Sequence, residues 1–189
     1  MSLDLSGLSD GELAALSLAG RQQAFADIMC RHREAIFRII AGNIGDADEA
    51  LDLLQETFLS AHAALGRYDP ARPLRAWLTT IALNKCRDWA RRRAVRRLIA
   101  FALPIDAVAE RVAQDRPSHD VETADRDELV RASHAIAALP AGLREVLVLR
   151  TIEGLSQAET AQMLGVTEKA VETRLRRARI KLSERIARA

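Results

Sequence analysis

Residues 155 to 182, LSQAETAQMLGVTEKAVETRLRRARIKL, constrain the fold more than any other stretch. Ser156 with Glu159 three residues on is a capping-box signature for a helix start. Ala158, Ala161 and Leu164 can line the buried side of that helix. Gly165 suits the left-handed position that ends it, and Thr167 can cap a second helix. There Val171, Leu175, Ala178 and Leu182 recur at spacings of four, three and four, so one face is apolar. Lys169, Thr173, Arg176 and Arg177 fall on the other side. Two short helices joined by a tight glycine turn, the second with a basic outer face, read as a helix-turn-helix. Like charges three and four apart on one helix repel by roughly a few tenths of a kcal/mol per pair. Arg174, Arg176, Arg177, Arg179 and Lys181 therefore call for an acidic partner outside the helix. The alternative is a helical hairpin with a solvated charged face.

The rest of the chain agrees with an all-α reading. It has 189 residues, enough for one or two small domains, and only 4% are aromatic. Strand-like runs of Val, Ile, Thr and Tyr are missing. A net charge of +2 averages over segregated blocks. From Asn84 to Arg97 seven basic residues oppose Asp88, whereas from Pro104 to Glu128 eight acids oppose Arg111, Arg116 and Arg126. Two basic surfaces separated by an acidic connector are expected. Residues 104 to 126 are polar, with little to bury, so they are expected to be mobile and cut first by protease near Arg111 or Arg116. Cys30 and Cys86 both lie among apolar helical positions, which predicts buried structural thiols. His32 near Cys30 is too little for a metal site. No signal peptide, membrane-length apolar run, phosphate loop or nucleophile constellation is apparent. That predicts a cytoplasmic protein with no metal, no cofactor and no catalytic residues.

Helices are expected from Ser9 to Gly20 and from Gln22 until Gly42, Asn43 and Gly45 break the second. Phe25, Ile28, Met29, His32, Ile36, Phe37, Ile39 and Ile40 are its buried stripe. A third helix follows Asp46, with Leu51, Leu54, Phe58, Ala61 and Leu65 inward. A fourth starts near Leu74 after the loop GRYDPARP, anchored by Trp77, Leu78, Ile81 and Trp89. A separate short helix is expected around Val95 to Phe101. The second half should hold helices from about Asp127 to Leu139 and, after Pro140, from Leu143 to about Ile152.

The third helix, DADEALDLLQETFLSAHAAL, gathers five acids at its front with no basic residue. The helix dipole alone favours acids there. Yet Asp52, Gln55, Glu56 and Leu59 also share the side away from the apolar stripe. An acidic face with an exposed leucine could dock a basic partner helix.

DLLQETFL, then RYDPARPLRAWLTTIALNKCRDWARRR, then LPAGLREVLVLRTIEGLSQAETAQMLGVTEKAVETRLRRARIKL resemble, in order and spacing, an extracytoplasmic-function sigma factor of bacterial RNA polymerase. The resemblance runs from about residue 22 to 185. It implies a sigma-2-like domain over 9–93, a flexible linker over 94–126 and a sigma-4-like helix-turn-helix domain over 127–189. It further implies that Asp52, Gln55, Glu56 and Leu59 dock on the clamp helices of the polymerase largest subunit. The polymerase flap is a second implied contact. Arg72, Arg75, Trp77, Asn84, Lys85 and Arg91 match the part that reads and opens the −10 element. Trp89 is expected in the core, while Trp77 stays divided between core and base pocket. Lys169, Thr173, Arg174, Arg176 and Arg177 match the −35 reader. Many family members have a basic residue where this chain has Glu172, and a carboxylate cannot hold a phosphate. The implied partners are core polymerase, promoter DNA and an anti-sigma factor, with the active chain monomeric. A sigma mimic that sequesters an anti-sigma factor and an ordinary helix-turn-helix regulator are the competing readings.

Overall fold

The computed structural model describes residues 5–102 and 124–187. Most of the segment expected to be mobile lies outside these residues. Among the described residues eight α-helices and no strands are present. α1 (Asp10–Leu18) opens on a capping box: Ser9 Oγ accepts from the Glu12 amide, and Glu12 Oε2 accepts from the Ser9 amide at 2.7 Å. α2 (Gln22–Ile44) is longer than the sequence suggested. Asn43 does not break it, because its Nδ2 donates to the Ile39 carbonyl at 2.8 Å and stays inside the helix. The helix stops at Gly45, at φ 72°, where a Cβ would be strained.

α3 (Ala47–Ala64) is capped by Asp46, which accepts from the amides of Asp48 and Glu49. Its buried edge is Ala50, Leu53, Thr57, Phe58 and Ala61. Leu51, expected inside, is exposed. The inward stripe uses small Ala50 and polar Thr57, whose hydroxyl donates to the Leu53 carbonyl at 2.7 Å. Burying that hydroxyl therefore leaves no unmade bond. α4 (Leu74–Ala102) runs unbroken through the basic block. The separate helix expected around Val95 to Phe101 is the end of this one, since nothing between Arg93 and Ala102 interrupts it. α1 to α4 enclose a core of Ile28, Ile36, Ile39, Ile40, Leu53, Leu78 and Leu83. Met29 and Cys30 are exposed, on the shoulder of the α2 stripe.

α5 (Ala124–Ala137), α6 (Ala141–Leu147), α7 (Gln157–Leu164) and α8 (Glu168–Ile186) build the second domain. Val146, Ala161 and Val171 form one small core, and Leu139, Leu147 and Ala178 another. After α6 the chain makes a π-helical turn over Val148–Ile152, closed by the Glu153 amide donating to the Val148 carbonyl. The two domains pack on each other. Leu149 and Leu155 of the second are buried in the core of the first. Gly42 of α2 allows this approach: a Cβ there would meet Val148 and Ile152 side chains at 3.1 Å.

Candidate functional site

α8 forms as its sequence dictates. Thr167 Oγ1 accepts from the Ala170 amide at 3.2 Å, and Gly165 at φ 64° ends α7 before it. Ser156 and Glu159 make the second capping box. The paired Ser156 holds the Glu159 carboxyl below the usual carboxylate range. Val171 and Ala178 face inward, with Leu175 and Leu182 beside them. Lys169, Glu172, Arg176 and Arg177 are exposed, and Thr173 is half-buried. Arg174 differs from its neighbours: its guanidinium leans back over Gly142 of α6 and is half-buried. That position withdraws it from the outer face.

Asp52, Gln55 and Leu59 lie exposed on α3, with Leu59 72% exposed. Glu56 on the same face meets Lys85 of α4 at 3.4 Å. These two line an open cleft with Asp88, Arg91 and Arg92. Arg91 is paired to Asp88 at 3.1 Å. The acidic face and the basic helix thus adjoin. In the loop before α4, Tyr68 donates its hydroxyl hydrogen to the Arg72 carbonyl at 2.7 Å, and Arg72 reaches Asp69 at 3.7 Å. Trp77 is half-buried, its ring 5.4 Å from Tyr68 and tilted by 47°. Trp89 is core, with its indole N–H donating to Glu49 at 2.9 Å and Arg93 over its ring.

Four site residues were not singled out in the sequence: Arg38, Arg87, Glu145 and Glu153. The Glu153 side chain is fully buried between the domains. Its Oε1 accepts from Arg38 Nε at 2.9 Å and its Oε2 from Arg75 Nη2 at 2.5 Å. Arg87 grips Glu145 with two parallel bonds of 2.7 and 2.8 Å, and also donates to Asn84 Oδ1 at 3.0 Å. The hydrogen bond to Glu153 raises the Arg38 pKa, and that to Glu145 raises the Arg87 pKa. Arg75 and Asn84, both matched to the −10 reader, therefore sit at the domain junction. Cys86 lies beneath this junction, and burial pushes its thiol up to about 12. No cluster of three or more His, Cys, Asp or Glu able to hold a metal exists among the described residues. No described helix is long and apolar enough to cross a membrane.

A two-domain helical fold with a capped helix-turn-helix and an acidic-faced helix defines a class, and comparison with known proteins places the chain in it. Residues 15–96 match Sigma-70 region 2, and residues 129–182 match Sigma-70, region 4. The chain belongs to the sigma-70 family, in its extracytoplasmic-function class; such proteins are transcription initiation factors that direct RNA polymerase to promoters. It is 41% identical to RNA polymerase sigma factor CnrH of Cupriavidus metallidurans, over 93% of each chain. It is 37% identical to ECF RNA polymerase sigma factor SigM of Mycobacterium tuberculosis, covering 93% of this chain and 83% of the relative. CnrH solved in complex with the cytosolic domain of CnrY superposes with a TM-score of 0.67 at 36% identity, over 94% of this chain and 97% of that one. The fold is also that of the sigma factor RpoE bound to the anti-sigma factor NepR from Bartonella quintana, at a TM-score of 0.66 and 24% identity, covering 86% and 96% of the chains.

Proposed function

We propose that the chain divides promoter-directed initiation among three surfaces and is held in check by an anti-sigma factor. Asp52, Gln55, Glu56 and Leu59 dock on the polymerase clamp helices. Charge and one apolar anchor on an exposed helix face suit a basic helical partner. Arg72, Arg75, Asn84, Lys85 and Arg91 take the −10 region, where guanidinium groups hold phosphates and an amide addresses a base edge. Trp77, half-buried against Tyr68, is the candidate wall for an unstacked base. Lys169, Thr173, Arg176 and Arg177 read the −35 duplex from the major groove. Arg174 takes a supporting place, since its guanidinium lies over Gly142. The domains proposed from the sequence, 9–93 and 127–189, each reach further in the fold, since α4 runs on to Ala102 and α5 starts at Ala124.

The observation that carries this reading is the capped α8, whose apolar side is buried while Lys169, Arg176 and Arg177 stay exposed. The anti-sigma assignment draws on CnrH, a relative seen with the cytosolic domain of CnrY. The test is reconstituted transcription with core polymerase on a library of genomic fragments, with RNA 5′ ends mapped. Start sites sharing one upstream pair of elements are expected. RNA identical to that from core polymerase alone overturns the reading.

A further inference from the structure

Glu172 has the opposite charge from its neighbours on the outer face of α8. Lys169, Glu172 and Arg176, at spacings of three and four, form one exposed stripe, while Thr173 beside it is half-buried. At about 100 degrees per residue, these three lie within roughly 60 degrees of one another around the helix axis. The carboxylate therefore sits between two cations, in the middle of the face proposed to meet DNA. The helix dipole does not account for it, because Glu168 already fills the acidic place in the first turn. Internal pairing does not account for it either. Among the described residues, the Glu172 side chain makes no ion pair or hydrogen bond, with Lys169 and Arg176 at helix-pairing distance in sequence. The same spacings do pair elsewhere in this chain: Glu34 meets Arg38 at 2.9 Å, and Asp88 meets Arg91 at 3.1 Å.

A free carboxylate facing a polyanion is repelled by the phosphates around it and needs a donor to offset that cost. On the major-groove edge, guanine offers only acceptors, and thymine offers an acceptor and a methyl group. Adenine sets its amino group beside the N7 acceptor, which repels a carboxylate. Cytosine alone offers an amino donor with no acceptor on its own edge. We infer that Glu172 is a specificity-determining residue for the −35 duplex, accepting a hydrogen bond from the 4-amino group of one cytosine. The inference rests on the reading of α8 as the −35 reader and deepens it. Arg176, one turn further along the same stripe, suits base acceptors; Glu172 suits a donor and rejects guanine or thymine in its place. Side chains four apart on a helix start about 5–6 Å from one another. Base pairs stack about 3.4 Å apart, so the two residues address adjacent or next-adjacent pairs.

The test assembles the full chain on core polymerase, selects from a library of randomised duplexes and sequences the bound fraction. Wild type is compared with Glu172→Ala, Glu172→Gln and Arg176→Ala, each first shown to be folded by circular dichroism. At one position wild type should prefer cytosine on one strand by about tenfold or more. Glu172→Ala should bring that preference below about twofold and leave the other positions as they are. Glu172→Gln should move it toward adenine, whose N6 and N7 suit an amide. A second measurement addresses the amino group itself, by replacing that cytosine with 2-pyrimidinone, which lacks it. Wild type should then lose affinity by about the factor that a wrong base costs, roughly tenfold, and Glu172→Ala should lose none. A cytosine preference that survives Glu172→Ala overturns the inference. So does a gain in affinity equal on every duplex with no change in preference, or an equal loss from 2-pyrimidinone in variant and wild type. If Arg176→Ala still relaxes a position of its own, only the Glu172 assignment falls. If no variant changes any preference, or wild type enriches no sequence, the −35 reading of α8 falls with it.

Discussion

The carboxylate of Glu56 lies 3.4 Å from the ammonium of Lys85, so the acidic face of α3 and the basic front of α4 share an ion pair. The surfaces proposed for polymerase docking and for the −10 region adjoin at this pair. A substitution on one side is felt on the other through the freed partner.

Reversing Asp52 and Glu56 to Lys should weaken binding to core polymerase while leaving the fold intact. Exposed charges usually alter stability by less than about 0.5 kcal/mol. Pull-down of core enzyme, run beside a urea titration, checks both statements. Undiminished capture by the folded double variant removes these residues from the docking surface.

Asn84→Ala should leave core binding unchanged and reduce promoter melting. Its Oδ1 accepts one bond from Arg87, which Glu145 holds with two more, so little stability depends on it. Permanganate reactivity of promoter thymines in the initiation complex is the measurement. Equal reactivity for variant and wild type ends the melting role.

Arg176 and Arg177 are both exposed on α8 and diverge by about 100 degrees around the helix axis. Arg176, one turn after Thr173, should address a base edge, and Arg177 a phosphate. Arg176→Ala should cost about 1 to 3 kcal/mol and relax specificity at one position, whereas Arg177→Ala should weaken all sequences alike and lower the salt slope by about one. Binding to the −35 duplex and its single-base variants, with the full chain assembled on core polymerase, separates these effects. The opposite pattern reverses the assignment.

The two thiols should differ in reactivity. Cys30 is exposed on α2, while Cys86 is buried with its thiol pushed up to about 12, leaving almost no thiolate near neutral pH. One thiol per chain should react with a thiol reagent in the native protein, and both in denaturant. Fast native reaction of both would mean that the domain junction over Cys86 opens readily.

Ser156→Ala should destabilise the second domain by about 1 kcal/mol through loss of the helix cap. The Ser156 bonds also depress the Glu159 pKa, so their contribution is present above the ordinary carboxylate value and fades as pH falls through the folded value. Thermal unfolding between pH 3 and 7, roughly the span over which a carboxylate titrates, should show a smaller acid-side dependence in the variant. A cap contribution unchanged across that range would assign it to the hydroxyl alone.

The parts of the fold that rest on short-range chemistry were legible in the sequence. Ser9 with Glu12, Asp46, Ser156 with Glu159, Gly165 and Thr167 each act within a few residues, and all hold in the structure. Faces built on small or polar residues were not. Ala50 and Thr57 took inward places that a hydrophobic pattern assigned to Leu51, and Cys30 fell just outside the α2 stripe. Gly42 read as a helix breaker because its role is steric room for another domain, which leaves no local trace. Glu153 meets Arg38 across 115 positions and Arg75 across 78, and Glu145 meets Arg87 across 58. No spacing rule reaches that far. The resemblance to sigma factors drew attention to Arg75 and Asn84 but was silent on what they touch within this chain.

The contact of Glu153 with Arg38 and Arg75 joins two parts of a single chain. Its strength is therefore set by an effective local concentration and not by the amount of protein. Dilution does not weaken such a contact. A ligand with a preference for one arrangement of the domains, or a change in ionic strength, would alter it. A partner that favours the open arrangement must meet that local concentration before any net binding appears, and one that favours the closed arrangement inherits it as added affinity.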